Sequence, residues 1–216
     1  MSDNWVLERL MLVIPLVLSL SVHEWAHAYS AFRLGDDTAL RMGRLTLNPI
    51  AHIDPIGTLL LPMMGVPFGW AKPVPVNPMG FNRKIDMRKG MMITASAGPA
   101  SNVVLAVLCT VGFYIAVSAG MRSQDALVTL LIQGVVLNVV LAVFNMLPIY
   151  PLDGSRVADG LMPRKWRPLW DRFARLGPIA LLAVIFMPRM LGFSLLDWPV
   201  RITYGVLSSV YGLAIG

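Results

Sequence analysis

The residues in this chain best able to do chemistry together are His23, Glu24 and His27, which form an HExxH run. On an α-helix, residues four apart share a face, so both imidazoles can point at one ion while Glu24 stands beside it as a base. Zinc is the ion that such a set fits. The competing reading is a pair of polar residues satisfied by interhelical hydrogen bonds. Ionisable groups inside apolar helices are rare and usually functional, which favours the metal.

A catalytic zinc usually takes three protein ligands and keeps a position for water or substrate, so the motif needs one more donor. Asp153 is the candidate, in the run Asn145-Met-Leu-Pro148-Ile-Tyr-Pro151-Leu-Asp153-Gly154-Ser-Arg156. Pro148 and Pro151 must break a helix there, Gly154 allows a tight turn, and an unwound segment could aim a carboxylate back at the ion. Asp-Gly is equally a common turn dipeptide, and the pattern alone leaves the two readings level. His52, the third histidine of the chain, could occupy the open metal position, orient the water, or cap a turn. Asn145 could donate to the substrate backbone or a developing oxyanion, or bond across helices. Asn102 reads as a structural amide tying one spanning helix to another, and Asp54 before a proline as a turn initiator.

The elements that must position these residues are membrane helices. Hydrophobic residues make up 56% of the 216 residues and charged residues 14%, and the mean hydropathy is +0.66. That composition describes an integral membrane protein rather than an ordinary soluble domain. The sequence pI is near 9.9, but the charges fall in loops between apolar segments rather than along a basic stripe, so no nucleic-acid partner is expected. The single cysteine, Cys109, allows no intrachain disulfide and no thiolate metal cluster, and reads as a small buried hydrophobe.

Three stretches, 10–32, 90–121 and 126–152, are long and apolar enough to cross a hydrocarbon core of about 30 Å. The first carries the HExxH motif and follows Asp3 and Glu8 rather than a basic region, so it is expected to be retained, not cleaved as a leader. Between the first two, residues 56–70 are broken by Pro62, Gly65, Pro67 and Gly69, and are expected to form a short re-entrant loop or β-hairpin lining the site. Its part 57–66 could pair with substrate as an extended edge strand.

If 56–70 does not cross, the loops 33–55, 71–89 and 153–175 share one face and hold 3, 5 and 6 basic residues, 14 of the chain's 18. The positive-inside tendency places that face in the cytoplasm and the N-terminus outside. The run Arg83, Lys84, Arg88, Lys89 reads as an anchor to anionic lipid. Beyond residue 175 a hairpin of two marginal spans, 177–196 and 198–216, is expected. The fold class is thus an all-α polytopic bundle of about four to six transmembrane helices in one domain over 1–216, with a catalytic core at about 5–157 and a C-terminal helical segment at about 176–216.

Four runs together, HEWAHA at 23–28, NPIAHIDPIGTLLLP at 48–62, SAGPASN at 96–102 and FNMLPIYPLDGSRV at 144–157, resemble the site-2 protease family of intramembrane zinc metalloproteases in its short form. The resemblance spans most of 19–157. It implies that His23, His27 and Asp153 ligate one Zn2+ per chain and that Glu24 is the catalytic base. Tyr150 stands where a proline is frequent in the family and Ser155 replaces a usual second glycine, and neither change removes a ligand. The expected activity is hydrolysis of peptide bonds in or near transmembrane segments of protein substrates in the lipid bilayer, by a zinc-activated water with Glu24 taking the proton. The expected location is the plasma (inner) membrane of a prokaryote, multi-pass, with the site toward the cytoplasmic side. The competing function is a zinc-binding membrane transporter or sensor without proteolysis.

Overall fold

The computed structural model describes residues 4–64, 69–190, 192 and 196–215, among which helix is the regular secondary structure and no strand occurs. Seven helices of nine or more residues organise the chain: α1 Asn4–Arg33, α2 Met87–Ser118, α3 Ala126–Asn145, α4 Asp153–Leu161, α5 Arg167–Arg175, α6 Gly177–Met190 and α7 Asp197–Ile215. Three are long and apolar enough to cross a membrane, Arg9–Arg33 within α1, all of α2 and all of α3. α6 is shorter, and α7 carries Asp197 and Arg201. Of the two marginal spans expected at 177–196 and 198–216, the described residues form the helices α6 and α7, neither of which matches the three long spans in length and apolarity together.

Local signals set the ends. The Asp86 carboxylate accepts from the Arg88 and Lys89 backbone N–H groups and starts α2. α3 stops at Asn145, three residues before Pro148, whose ring bars a continuing helix. α2 lies at the centre, packed against α1, α3 and α4, while α7 closes on α2 and α3. Phe113, Ala116 and Val117 of α2 meet Val128 and Val135 of α3 and Leu207 of α7 in an apolar cluster at one end of the bundle.

Further along α2 the interior turns polar. The Asn102 side-chain amide donates to Asn138 Oδ1 at 2.8 Å, and the Asn138 amide donates to Ser19 Oγ and to the Gly134 carbonyl, each at 2.8 Å. All three side chains are buried, so one chain of bonds fixes the rotation of α1, α2 and α3 about their axes. The outward face of α2 is the reverse, with Val103, Val104, Val107, Leu108 and Ile115 all more than half exposed. An apolar outside around a polar interior is the arrangement lipid demands.

The loops at the opposite end from the apolar cluster are bound to one another. Asn82 N–H donates to the Leu34 carbonyl, Asn77 N–H to Asp36 Oδ2, and Arg88 pairs with Asp159 at 3.3 Å. Of the re-entrant loop or β-hairpin expected over 56–70, the described residues form no strand. Pro55–Leu60 and Leu61–Met63 are successive helical turns, because Asp54 caps Ile56 and Gly57 and a proline starts each turn. Residues 65–68 lie outside those described. An extended edge strand over 57–66 is thus ruled out as far as Met63. The chain nonetheless folds back on itself: Trp70 N–H donates to the Gly57 carbonyl at 3.3 Å, and Thr58 Oγ1 donates to the Trp70 carbonyl at 2.7 Å.

Replacing Asn138 by Leu removes the centre of the buried amide chain and leaves the Asn102 amide without its acceptor. The expected result is a loss of about 1–3 kcal/mol, read as a lower thermal unfolding midpoint of the detergent-solubilised protein. An unchanged midpoint would show that these amides do not hold the three helices together.

Candidate metal centre

His23 and His27 sit one turn apart on α1, on the face turned to α2, and are only 5% and 9% exposed. Their Nδ1 atoms are engaged away from each other: His23 Nδ1 lies 2.6 Å from Asn102 Oδ1, and His27 Nδ1 lies 2.7 Å from the Thr94 carbonyl. Both partners are acceptors, since the Asn102 amide nitrogen is spent on Asn138. Each Nδ1 therefore carries the proton, and each Nε2 presents a lone pair.

Gly98 makes the approach possible. A Cβ there would lie 2.5 Å from His27 Cε1 and 2.6 Å from His23 Cε1, and closer still to His27 Nε2. Pro99 follows inside the helix and, having no N–H, cannot donate to the Ala95 carbonyl one turn before it.

Asp153 arrives from the far side as the first residue of α4. Gly154 was expected to supply a turn conformation, and its role proves to be space. It is helical, and a Cβ would meet the Leu147 carbonyl at 2.5 Å and the Met146 carbonyl closer. The start of α4 thereby abuts the backbone that leaves α3. This delivers Asp153 Oδ2 to 3.2 Å from His23 Nε2 and 3.2 Å from His27 Nε2, while the two Nε2 atoms are 3.0 Å apart.

These three atoms test the fit to zinc. Tetrahedral coordination with bonds of 2.0–2.1 Å to nitrogen and oxygen has ligand-to-ligand edges of about 3.3–3.4 Å, close to the 3.0 and 3.2 Å seen here. Asp153 Oδ2 is buried with no hydrogen-bond partner, and both imidazole nitrogens offer it lone pairs rather than protons. Three acceptors turned on one point are repulsive unless a cation stands among them. The set suits a divalent ion with borderline-soft preference, and His23, His27 and Asp153 are the group of His, Cys, Asp and Glu side chains among the described residues whose donor atoms converge in this way.

Glu24 lies outside the triangle. Its Oε2 accepts a hydrogen bond of 2.7 Å from the Val74 backbone N–H, from the extended segment that follows Trp70. His52 is not brought to the donors: its Nε2 bonds the Thr46 carbonyl at 2.8 Å and its own carbonyl accepts from Lys72 N–H, so a short loop takes up both. Asn145 spends its amide nitrogen on the Leu141 carbonyl of its own helix at 3.0 Å rather than on another helix, while Asn102, expected to tie one spanning helix to another, donates to Asn138. Thr94, Ser19 and Asn138 have no role in the reading of the sequence. Only Asn138 carried a signal, as an isolated amide in the middle of an apolar run.

Residues 108–188 match peptidase family M50, a stretch that contains Asp153 and begins after the HExxH motif. Over 195 residues the chain is 43% identical to the protein named "Putative zinc metalloprotease YwhC" of Bacillus subtilis, covering 87% of this chain and 84% of that protein. It is 32% identical over 148 residues to "Putative zinc metalloprotease Rip2" of Mycolicibacterium smegmatis, covering 67% of this chain and 54% of that protein. The Rip2 protein of Mycobacterium tuberculosis is 30% identical over 164 residues, covering 74% of this chain and 60% of its own length. No solved structure matches the chain.

Two substitutions probe the centre without touching a donor. Asn102→Ala frees the His23 ring, and loss of such an orienting partner typically lowers metal affinity about 10–100-fold. Gly98→Val drives a side chain into both imidazoles and should abolish stoichiometric zinc. Metal analysis and chelator competition on the purified proteins read both effects, and wild-type affinity in either variant would refute the assigned geometry.

Proposed function

The chain belongs to peptidase family M50, the site-2 protease family of membrane zinc metalloproteases, and from that membership we propose that it hydrolyses peptide bonds in or near the transmembrane segments of other membrane proteins. The observation that carries this reading is the triangle of His23 Nε2, His27 Nε2 and Asp153 Oδ2, with edges of 3.0 and 3.2 Å, placed beside but not including Glu24.

His23, His27 and Asp153 hold the ion, and Asn102 and the Thr94 carbonyl keep the two imidazoles turned toward it. Zinc, when bound there, makes a water acidic near neutral pH and polarises a carbonyl. Glu24 takes the proton from the attacking water and passes it to the leaving amine, so that one water is consumed and two peptides result. A transport site has no need of a carboxylate directly after its first ligand. Glu24 accepts from the Val74 N–H and is not one of the converging donor residues, which supports reading it as the base rather than a ligand.

The protein in this reading spans the bilayer several times, and its site opens toward the cytoplasm. The basic loops 33–55, 71–89 and 153–175 gather at one end of the bundle, joined by the Leu34–Asn82, Asp36–Asn77 and Arg88–Asp159 contacts, which supports a shared face with 14 of the 18 basic residues. His27 lies six residues before Arg33, or about 9 Å along the helix, so cleavage falls near that surface.

Two measurements test the function. Glu24→Gln should retain one zinc per chain while cleavage of a library of single-span membrane segments falls below detection. Stripping the wild type with a chelator should abolish cleavage, and added zinc should restore it. Cleavage that survives in Glu24→Gln, or a zinc-loaded wild type that cuts no segment and instead moves zinc across vesicles, would overturn the peptidase reading.

A further inference from the structure

Taking Glu24 as the base, we propose that Arg44 is a positioning residue for it, acting through the strap formed by residues 71–77, whose Val74 N–H grips the Glu24 carboxylate. Arg44 is only 7% exposed, and among the described residues it makes no ion pair. A cation withdrawn from water without a counter-charge is costly, and its hydrogen bonds must answer for it. Arg44 directs its Nη2 at the strap, donating to the Lys72 carbonyl at 2.6 Å and the Pro73 carbonyl at 3.5 Å.

The strap is held at both ends. Near its start Lys72 N–H donates to the His52 carbonyl at 2.9 Å, and the His52 ring in turn bonds the Thr46 carbonyl, so the loop that carries Arg44 is also the strap's footing. At its end Asn77 N–H donates to Oδ2 of Asp36, a residue only 1% exposed, at 2.7 Å. Between these anchors Pro73 and Pro75 have no N–H, and each restricts the residue before it to extended backbone. The Pro73-Val74-Pro75 tripeptide is therefore stiff, with a single donor, and that donor meets Glu24 Oε2 at 2.7 Å.

A carboxylate held by one oxygen keeps the other for the proton it must move, and among the described residues Oε1 receives no hydrogen bond. Glu24 has three rotatable side-chain bonds, so without the strap its carboxylate swings through several rotamers. Misplacement of a catalytic group by about 1 Å can cost about 100-fold in rate. Arg44 touches neither metal donors nor Glu24, and its influence runs through Lys72 and Pro73 to Val74.

The test uses the zinc-loaded full-length protein, with a fluorogenic single-span peptide that the wild type cleaves. Arg44→Gln and Val74→Pro, the latter deleting the N–H within an already extended segment, should each lower kcat about 10–100-fold, with KM changed less than about twofold and zinc still at one per chain. Arg44→Lys, which keeps the length and positive charge that Gln lacks, should recover most of the loss. The double variant should be no slower than Val74→Pro alone, because both act on one hydrogen bond. A normal kcat in Arg44→Gln, or losses that multiply in the double variant, would overturn the proposal. A second readout needs no substrate: Val74 amide exchange, slow in the wild type, should become fast in Arg44→Gln and in Glu24→Ala. Slow exchange in Glu24→Ala would refute the bond even if Val74→Pro failed to fold. A wild type that cleaves nothing but shows the expected exchange pattern would sink the peptidase reading and leave the strap standing.

Discussion

Three lone pairs that point at one another cannot be left without a cation, and most of this structure answers that constraint. The His23 and His27 rings are turned by the Asn102 amide and the Thr94 carbonyl, so protons sit on the outer nitrogens and the inner ones face Asp153 Oδ2 at 3.2 Å. Far from water, repulsion among these acceptors is poorly screened. A divalent ion bound among the three donors would relieve it. Because α1 supplies two donors and α4 the third, a bound ion ties the first helix to a segment beyond the third, and its binding energy becomes part of the energy of the fold.

The chemistry of the site was more legible in the sequence than its support. HExxH declares its own geometry, since any helix places His23 and His27 on one face, and the apolar runs around it declare the medium. Asp153 needed the resemblance as well, because Asp-Gly by itself is a turn signal, and the close approach of Gly154 to the Met146 and Leu147 carbonyls depends on how α4 meets α3. The 56–70 segment shows where reading by pattern ran out. Its glycines and prolines were read as breakers of regular structure, yet Pro55 and Pro62 both stand in the first turn of a short helix, where a missing N–H costs nothing. His52 and Asn145 were ambiguous for the opposite reason. Each is chemically able to serve a site, and only tertiary placement shows that Thr46 takes one ring nitrogen of His52 and Leu141 the amide nitrogen of Asn145. Arg44 and Asp36 carry no motif at all, and their burial is visible only once the strap lies over them.

Lipid removes the hydrophobic drive that packs helices in water, so the polar residues of α1, α2 and α3 must decide which faces meet. Ser19, Asn138 and Asn102 form one bonded chain across the three helices, and the Asn102 oxygen at its end holds His23. The same bonds that choose the rotation of α1 therefore aim its motif. A helix turned by even one residue, about 100°, would expose Ser19 and both imidazoles to hydrocarbon and replace them inside with apolar side chains that Asn102 and Asn138 cannot bond. Each unsatisfied group would then cost several kcal/mol. In this bundle, packing specificity and ligand orientation are consequences of one network, and the HExxH face points inward because the amides leave α1 no other rotation.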